Sequence, residues 1–168
     1  MTTHAPDAPS APDAPSDPAS ESVARLAVTL HRLDEAHRRY RVRAARSVGI
    51  GATELSALLA VSDSPGISPG ALSRDLVLST GTVTAVVDRL EKSGHVTRVG
   101  RPGDRRSVHL ELTDHGTATM ATLRGAYRAV LASTGTDEAV SGALTQLTRI
   151  TVALDAAAAA DDEGQPVS

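Results

Sequence analysis

Ser79-Thr80-Gly81-Thr82-Val83-Thr84-Ala85-Val86-Val87-Asp88-Arg89-Leu90-Glu91-Lys92-Ser93-Gly94 is the stretch on which the fold turns. Val83, Val86, Val87 and Leu90 form the inward stripe of an amphipathic helix. Ser79 or Thr80 supplies an N-cap, and Gly94 stops the helix in the C′ role. With the stripe turned inward, Thr80, Thr82, Thr84 and Ala85 face out, followed by Arg89 and Lys92. Immediately upstream, Ser68-Pro69 opens a shorter helix with Ser as N-cap and Pro at the first helical position. Ala71, Leu72 and Leu76 supply its buried side, and Val77-Leu78 makes a tight connection between the two helices.

Downstream the texture changes. His95-Val96-Thr97-Arg98-Val99 has strand character, and Gly100-Arg101-Pro102-Gly103-Asp104 reads as a turn with Arg105 and Arg106 just beyond it. Ser107 to Thr113 alternates again, with Val108, Leu110 and Leu112 on one face. Two short helices followed by a basic-tipped hairpin are a winged helix-turn-helix. The second helix is narrow enough to enter the major groove and offer base edges its N-terminal half, while the hairpin arginines reach phosphate or the adjacent minor groove. Small hydroxyls can bond bases or phosphates, and Ala85 suits a thymine methyl.

Working outward, a helix from Glu21 to Arg46 carries the seam Leu26, Leu30, Leu33, His37 and Tyr40, and Gly49 and Gly51 end it. A second helix spans about Ala52 to Ser62. After the hairpin, helix resumes at Asp114 and runs to about Ser133 with Met120, Leu123, Tyr127, Val130 and Leu131 in register. Thr136 caps a last helix whose seam is Val140, Leu144, Leu147 and Leu154. Residues 21–48 and 114–160 are therefore expected as dimerisation helices around a DNA-binding lobe of residues 50–113. Leu26, Leu30, Leu33, Leu144, Leu147 and Leu154 are the expected dimer contacts. The expected class is mostly α with a small β-hairpin wing.

Composition narrows the chemistry. The 168 residues include no Cys, Phe or Trp and two Tyr, which excludes disulfides, thiolate metal clusters and thiol switches, and leaves almost nothing on which single-stranded bases could stack. No apolar run reaches the ~18–20 residues of a membrane span. The N-terminus has neither the basic nor the apolar region of a secretory signal, so a cytoplasmic protein is expected. The formal charge of −3 conceals an asymmetry. Residues 1–21 and 155–168 hold four acids each and no Lys or Arg, so residues 22–154 set 17 bases against 12 acids, a formal +5. Sixteen of those bases are Arg, whose planar fork suits phosphate and guanine edges. The Pro/Ala-rich acidic stretch of residues 1–20 and the acidic end at 161–168 are expected to be disordered.

The stretch from Ser79 to Gly94, with Asp104-Arg105-Arg106 and then Leu112-Thr113, resembles the recognition helix and wing signature of the multiple-antibiotic-resistance (MarR) family of regulators. The resemblance covers roughly residues 22–155. It implies an obligate homodimer whose first and last helices interleave, two winged lobes on a pseudo-palindromic duplex, and a small aromatic or phenolic effector between dimer region and lobe. Carried over, Asp104 orients the wing arginine, and Arg106 with Arg105 enters the minor groove or holds phosphate. Thr84 matches a base- or phosphate-contacting threonine. Ala85 stands where the family often has a basic residue, which favours A·T-leaning recognition.

The resulting expectation is a DNA-binding transcriptional regulator, a repressor relieved by a small molecule. Its rivals are a metal-sensing winged-helix regulator and a helical dimerisation module without DNA binding. Arg105-Arg106 as a solvated tip, and Arg89 as an ion-pair partner instead of a phosphate ligand, are the plainer readings of those residues. His31 and His37 are six apart while His95, His109 and His115 are scattered, so neither metal nor cofactor is expected. No nucleophile elbow, zinc-protease or phosphate-loop setting occurs, so no enzyme activity is expected.

Overall fold

The computed structural model describes residues 18–101 and 104–162, with side chains over 19–100 and 108–160. The expected tail of residues 1–20 falls mostly outside this range, as does 163–168 of the C-terminal tail. The order is α1 (Pro18–Ser47), α2 (Ala52–Asp63), α3 (Pro69–Asp75), α4 (Thr80–Lys92), β1 (Val96–Arg101), β2 (Asp104–Leu112), α5 (Asp114–Ala132) and α6 (Asp137–Asp162). The chain divides into two compact units, Met1–Leu55 and Ser56–Ser168.

In the first unit, α1 starts at Pro18, three residues ahead of the expected Glu21. Proline's fixed φ suits a first helical turn, where its missing N–H goes unused. Leu26 and Leu33 remain 38% exposed, whereas Leu30 is half-buried. Gly49 takes φ +77, a left-handed conformation that ends the helix. The Gly51 N–H donates to the Glu54 carboxylate, so the acid in the first turn of α2 caps that helix from inside.

The second unit has a continuous core. Leu58, Val61, Leu72, Val83, Val86, Val87, Leu90, Val96, Leu110 and Met120 are each at most 1% exposed. Ser68 caps α3 by accepting from the Ala71 N–H, Ser79 caps α4 by accepting from the Thr82 N–H, and Thr113 caps α5 by accepting from the Gly116 N–H. β1 and β2 pair antiparallel, Val96 opposite Leu112 through Gly100 opposite Val108, and then Arg101 opposite Asp104. The hairpin is longer than expected. Asp104, Arg105 and Arg106 have strand backbone in β2, and the register shift at Gly100/Arg101 accommodates the three residues 105–107. Pro102 and Gly103 of the expected turn lie outside the described residues.

Two long-range features extend the lobe beyond the sequence expectation. The Gly66 N–H donates to the Leu110 carbonyl at 3.2 Å and the Leu110 N–H to the Ile67 carbonyl at 2.9 Å, so the segment before α3 lines the free edge of β2. Gly116, Thr119 and Met120 of α5 are buried, so the lobe's core continues past the boundary expected at residue 113. Beyond that first third, burial fades. Val130 and Leu131 are 48% and 43% exposed, and every residue of α6 from Asp137 to Ala160 is exposed apart from half-buried Ile150. Among the described residues no single helix is long and apolar enough to cross a membrane.

Candidate nucleic-acid interface

The recognition face forms as the hydrophobic stripe dictates. Val83, Val86, Val87 and Leu90 are 1% exposed, and Ser79, Thr80, Thr82, Thr84, Ala85 and Arg89 are all exposed. α4 therefore presents an outward surface of small side chains along its N-terminal half, followed by Arg89 and Lys92 in its last turn.

The hydroxyls on this face are not equivalent. The Ser79 Oγ accepts from the Thr82 N–H at 3.2 Å and lies 2.8 Å from the Thr82 Oγ1, so capping occupies part of both hydroxyls. Thr84 donates its hydroxyl hydrogen to the Thr80 carbonyl at 2.9 Å, which leaves it an outward acceptor and a methyl group. With Ala85 beside it, the centre of the face is small, weakly polar and uncharged. Such a face matches thymine methyls and cytosine or adenine amino donors better than guanine acceptors.

The helix-turn-helix connection carries an outlier that sequence reading passed over. Val77 has φ +52, the sole non-glycine at positive φ among the described residues, and its side chain is 90% exposed. The turn is held from inside: the Leu78 N–H donates to the Ser73 carbonyl at 3.0 Å, and the Ser73 Oγ donates to the Leu78 carbonyl at 2.6 Å.

A second residue that sequence reasoning missed joins the recognition helix to the wing. Arg98 of β1 donates to Asp88 at 2.6 Å and to Glu91, both on α4, and its backbone N–H also reaches Glu91 at 3.3 Å. The hydrogen bond it donates to Asp88, aided by the nearby Glu91 charge, raises its guanidinium pKa against the opposing effect of burial. The hairpin brings Arg98 to Asp88 from ten residues away in sequence. Arg98 thus fixes the wing's base relative to α4 and neutralises two acids beside the recognition face.

The side chains of Asp104, Arg105 and Arg106 lie outside the described residues, and only their strand backbone can be placed. The expected dimer contacts on α6 are open: Leu144 is 66%, Leu147 41% and Leu154 64% exposed. His95 and His115, scattered in sequence, meet with ring centroids 4.5 Å apart and planes tilted by 45°, while His109 pairs with Glu111 at 3.0 Å. Among the described residues no group of three or more His, Asp or Glu is placed to hold a metal ion.

Residues 48–107 match the sequence profile described as the MarR family. The HTH-type transcriptional regulator YcgE of Bacillus subtilis (strain 168), itself uncharacterised, is 43% identical over 65 residues, 39% of this chain and 42% of that protein. The HTH-type transcriptional regulator PecS of Dickeya dadantii (strain 3937) is 44% identical over 52 residues, 31% of each chain. The chain thus spans less than half the length of these relatives. In fold, FabT of Streptococcus pneumoniae, solved in complex with DNA, superimposes with TM-score 0.63 at 22% identity, covering 80% of this chain and 96% of that one. A mutant MarR from E. coli complexed with operator DNA gives TM-score 0.58 at 24% identity, covering 80% of this chain and 99% of that one.

Proposed function

We propose that this chain is a MarR-family transcriptional regulator that binds double-stranded DNA as a homodimer, a reading supported by the match of its residues 48–107 to the MarR profile. The observation that carries the reading is the exposed face of α4, where Thr80, Thr84 and Ala85 stand clear over a fully buried valine stripe. What suits the face to a major groove is its small side chains, which let the helix approach base edges closely, with the hairpin following it. Ser79, Thr82 and Arg89 flank the base-reading centre as backbone contacts, and Arg105 and Arg106 of the wing reach phosphate or minor groove, with Asp104 orienting them.

The dimer follows from α6. An amphipathic helix with its apolar seam in solvent is unstable alone, and the seam of Val140, Leu144, Leu147 and Leu154 fits a second copy of the same surface. Leu26, Leu30 and Leu33 of α1 add to that interface. A two-fold dimer places its recognition helices about one duplex turn, ~34–36 Å, apart on a pseudo-palindromic operator. A small aromatic or phenolic effector that changes this separation relieves repression. The site of action is the cytoplasm, where the operator is.

Gel shift of an Arg105→Ala/Arg106→Ala double variant at several salt concentrations tests the assignment. The double variant removes two phosphate contacts from each protomer, four per dimer, and lowers the salt slope by about 3.6, taking ~0.9 per contact. Unchanged affinity and slope would remove the wing from the interface.

A further inference from the structure

His95 sits where the recognition helix, the wing and α5 meet, and it is 3% exposed. Its N–H donates to the Leu90 carbonyl of α4 at 2.9 Å, and its carbonyl accepts from the Thr113 N–H at 3.1 Å. Gly116 presses on the same carbonyl so closely that a Cβ there would lie 2.0 Å from it. The backbone of His95 is thus held from both sides.

Ser93 Oγ lies 3.1 Å from the Leu90 carbonyl and 2.8 Å from His95 Nδ1. The other ring nitrogen, Nε2, is the buried side-chain atom without a partner among the described residues. The imidazolium carries an N–H at each nitrogen, so with either neutral tautomer the cation presents an N–H at Nε2 with no acceptor, an expensive state in a buried site.

The charged groups on the surrounding elements do not relieve it. On α4 and β1, Asp88 and Glu91 are taken by Arg98; on β2, Glu111 is taken by His109. Lys92, in the last turn of α4, is of the wrong sign, and Asp114 stands in the exposed first turn of α5. His115, 4.5 Å from His95 by ring centroids, repels a second positive charge.

We propose that His95 is an acid-sensitive latch: protonation of its ring, which leaves an N–H at Nε2 without an acceptor, opens the joint between recognition helix, wing and α5 and releases DNA. The inference rests on the DNA-binding reading above. Burial first and the His115 charge second hold the imidazole pKa below its ordinary value of 6.5. The unfolded chain therefore takes a proton before the folded one does, so stability is full above 6.5 and declines as pH falls below it. The background runs the other way, because acidification makes the whole chain more positive and strengthens phosphate attraction.

The experiment is fluorescence anisotropy with a duplex recovered by selection from random-sequence DNA, at constant salt, between about pH 7.5 and about pH 5.5, the range in which histidine titrates. Wild type is expected to lose about tenfold or more in affinity on acidification, and His95→Leu less than about threefold, tenfold being one unit of differential protonation. His115→Gln, at an exposed site, removes the repulsion and moves the midpoint of the loss to higher pH; this variant keeps the test sound if His95→Leu fails to fold. Equal acid loss in wild type and both variants, or none in wild type, overturns the latch. A wild type that binds no duplex at about pH 7.5, where histidine is neutral, defeats the DNA-binding reading and this inference with it.

Discussion

Val77→Gly should make the protein more stable. An L-residue in the left-handed region costs roughly 1–2 kcal/mol, and a β-branched side chain stands at the unfavourable end. Val77 at φ +52 bears that cost with no compensating burial, because its side chain is 90% exposed. Glycine removes the clash, and its greater freedom in the unfolded chain offsets about 0.5–1 kcal/mol. The net gain is about 0.5–1 kcal/mol. For a chain of this length that corresponds to a rise in Tm of roughly 1–4 °C.

The substitution leaves the rest of the turn alone, since the hydrogen bonds of Val77 N–H to the Arg74 carbonyl and Leu78 N–H to the Ser73 carbonyl are made by backbone. Thermal and urea unfolding followed by circular dichroism, at one fixed protein concentration, reads the effect. The urea midpoint should rise with an unchanged m-value. Val77→Asn, which tolerates the left-handed region better than valine, should fall between, and Val77→Ile should gain nothing. A lower Tm for Val77→Gly, or an equal gain for Val77→Ile, would refute the argument that strain resides at this residue.

Two other substitutions probe the lobe and the assembly. Gly116→Ala drives a methyl to within 2.0 Å of the His95 carbonyl, so α5 must shift away from the wing; a loss of about 1–3 kcal/mol is expected from urea unfolding. Leu144→Glu/Leu147→Glu puts two charges on the α6 seam, and light scattering should then show monomer where wild type shows dimer. A dimer of unchanged stability in that variant would place the interface elsewhere.

The elements whose signals are local could be read from sequence. Ser68, Ser79 and Thr136 cap the helices they precede, because a cap is a contact three residues long. The valine stripe of α4 named its own buried face, since periodicity alone determines which side of a helix meets the core. Tertiary closure was not legible. The pairing of Gly66 and Ile67 with Leu110 spans over forty residues and uses backbone groups only, so no side-chain pattern marks it. Arg98 and Asp88 meet because β1 turns back along α4, and His95 meets His115 because the hairpin returns the chain to its own base. The wing turn was placed too broadly because Gly100 and Pro102 both signal a break, yet the strand backbone of β2 already resumes at Asp104. The positive φ of Val77 has no sequence signal, because propensity disfavours valine where it stands.

Thr113 has a mechanical consequence. Its hydroxyl accepts from the Gly116 N–H at the start of α5 and donates to the carbonyl of Gly94, two residues past the end of α4. One side chain therefore pins two helix termini together. α5 is 19 residues long, about 28 Å at 1.5 Å per residue. With Thr113 as fulcrum, a sideways push of ~2.5 Å at the far end of α5 amounts to a tilt of only about 5° at the pin, taking the helix as a rigid rod of 1.5 Å per residue. Whatever moves the exposed end of that rod works with a long arm, and the end of the reading helix feels the motion as torque.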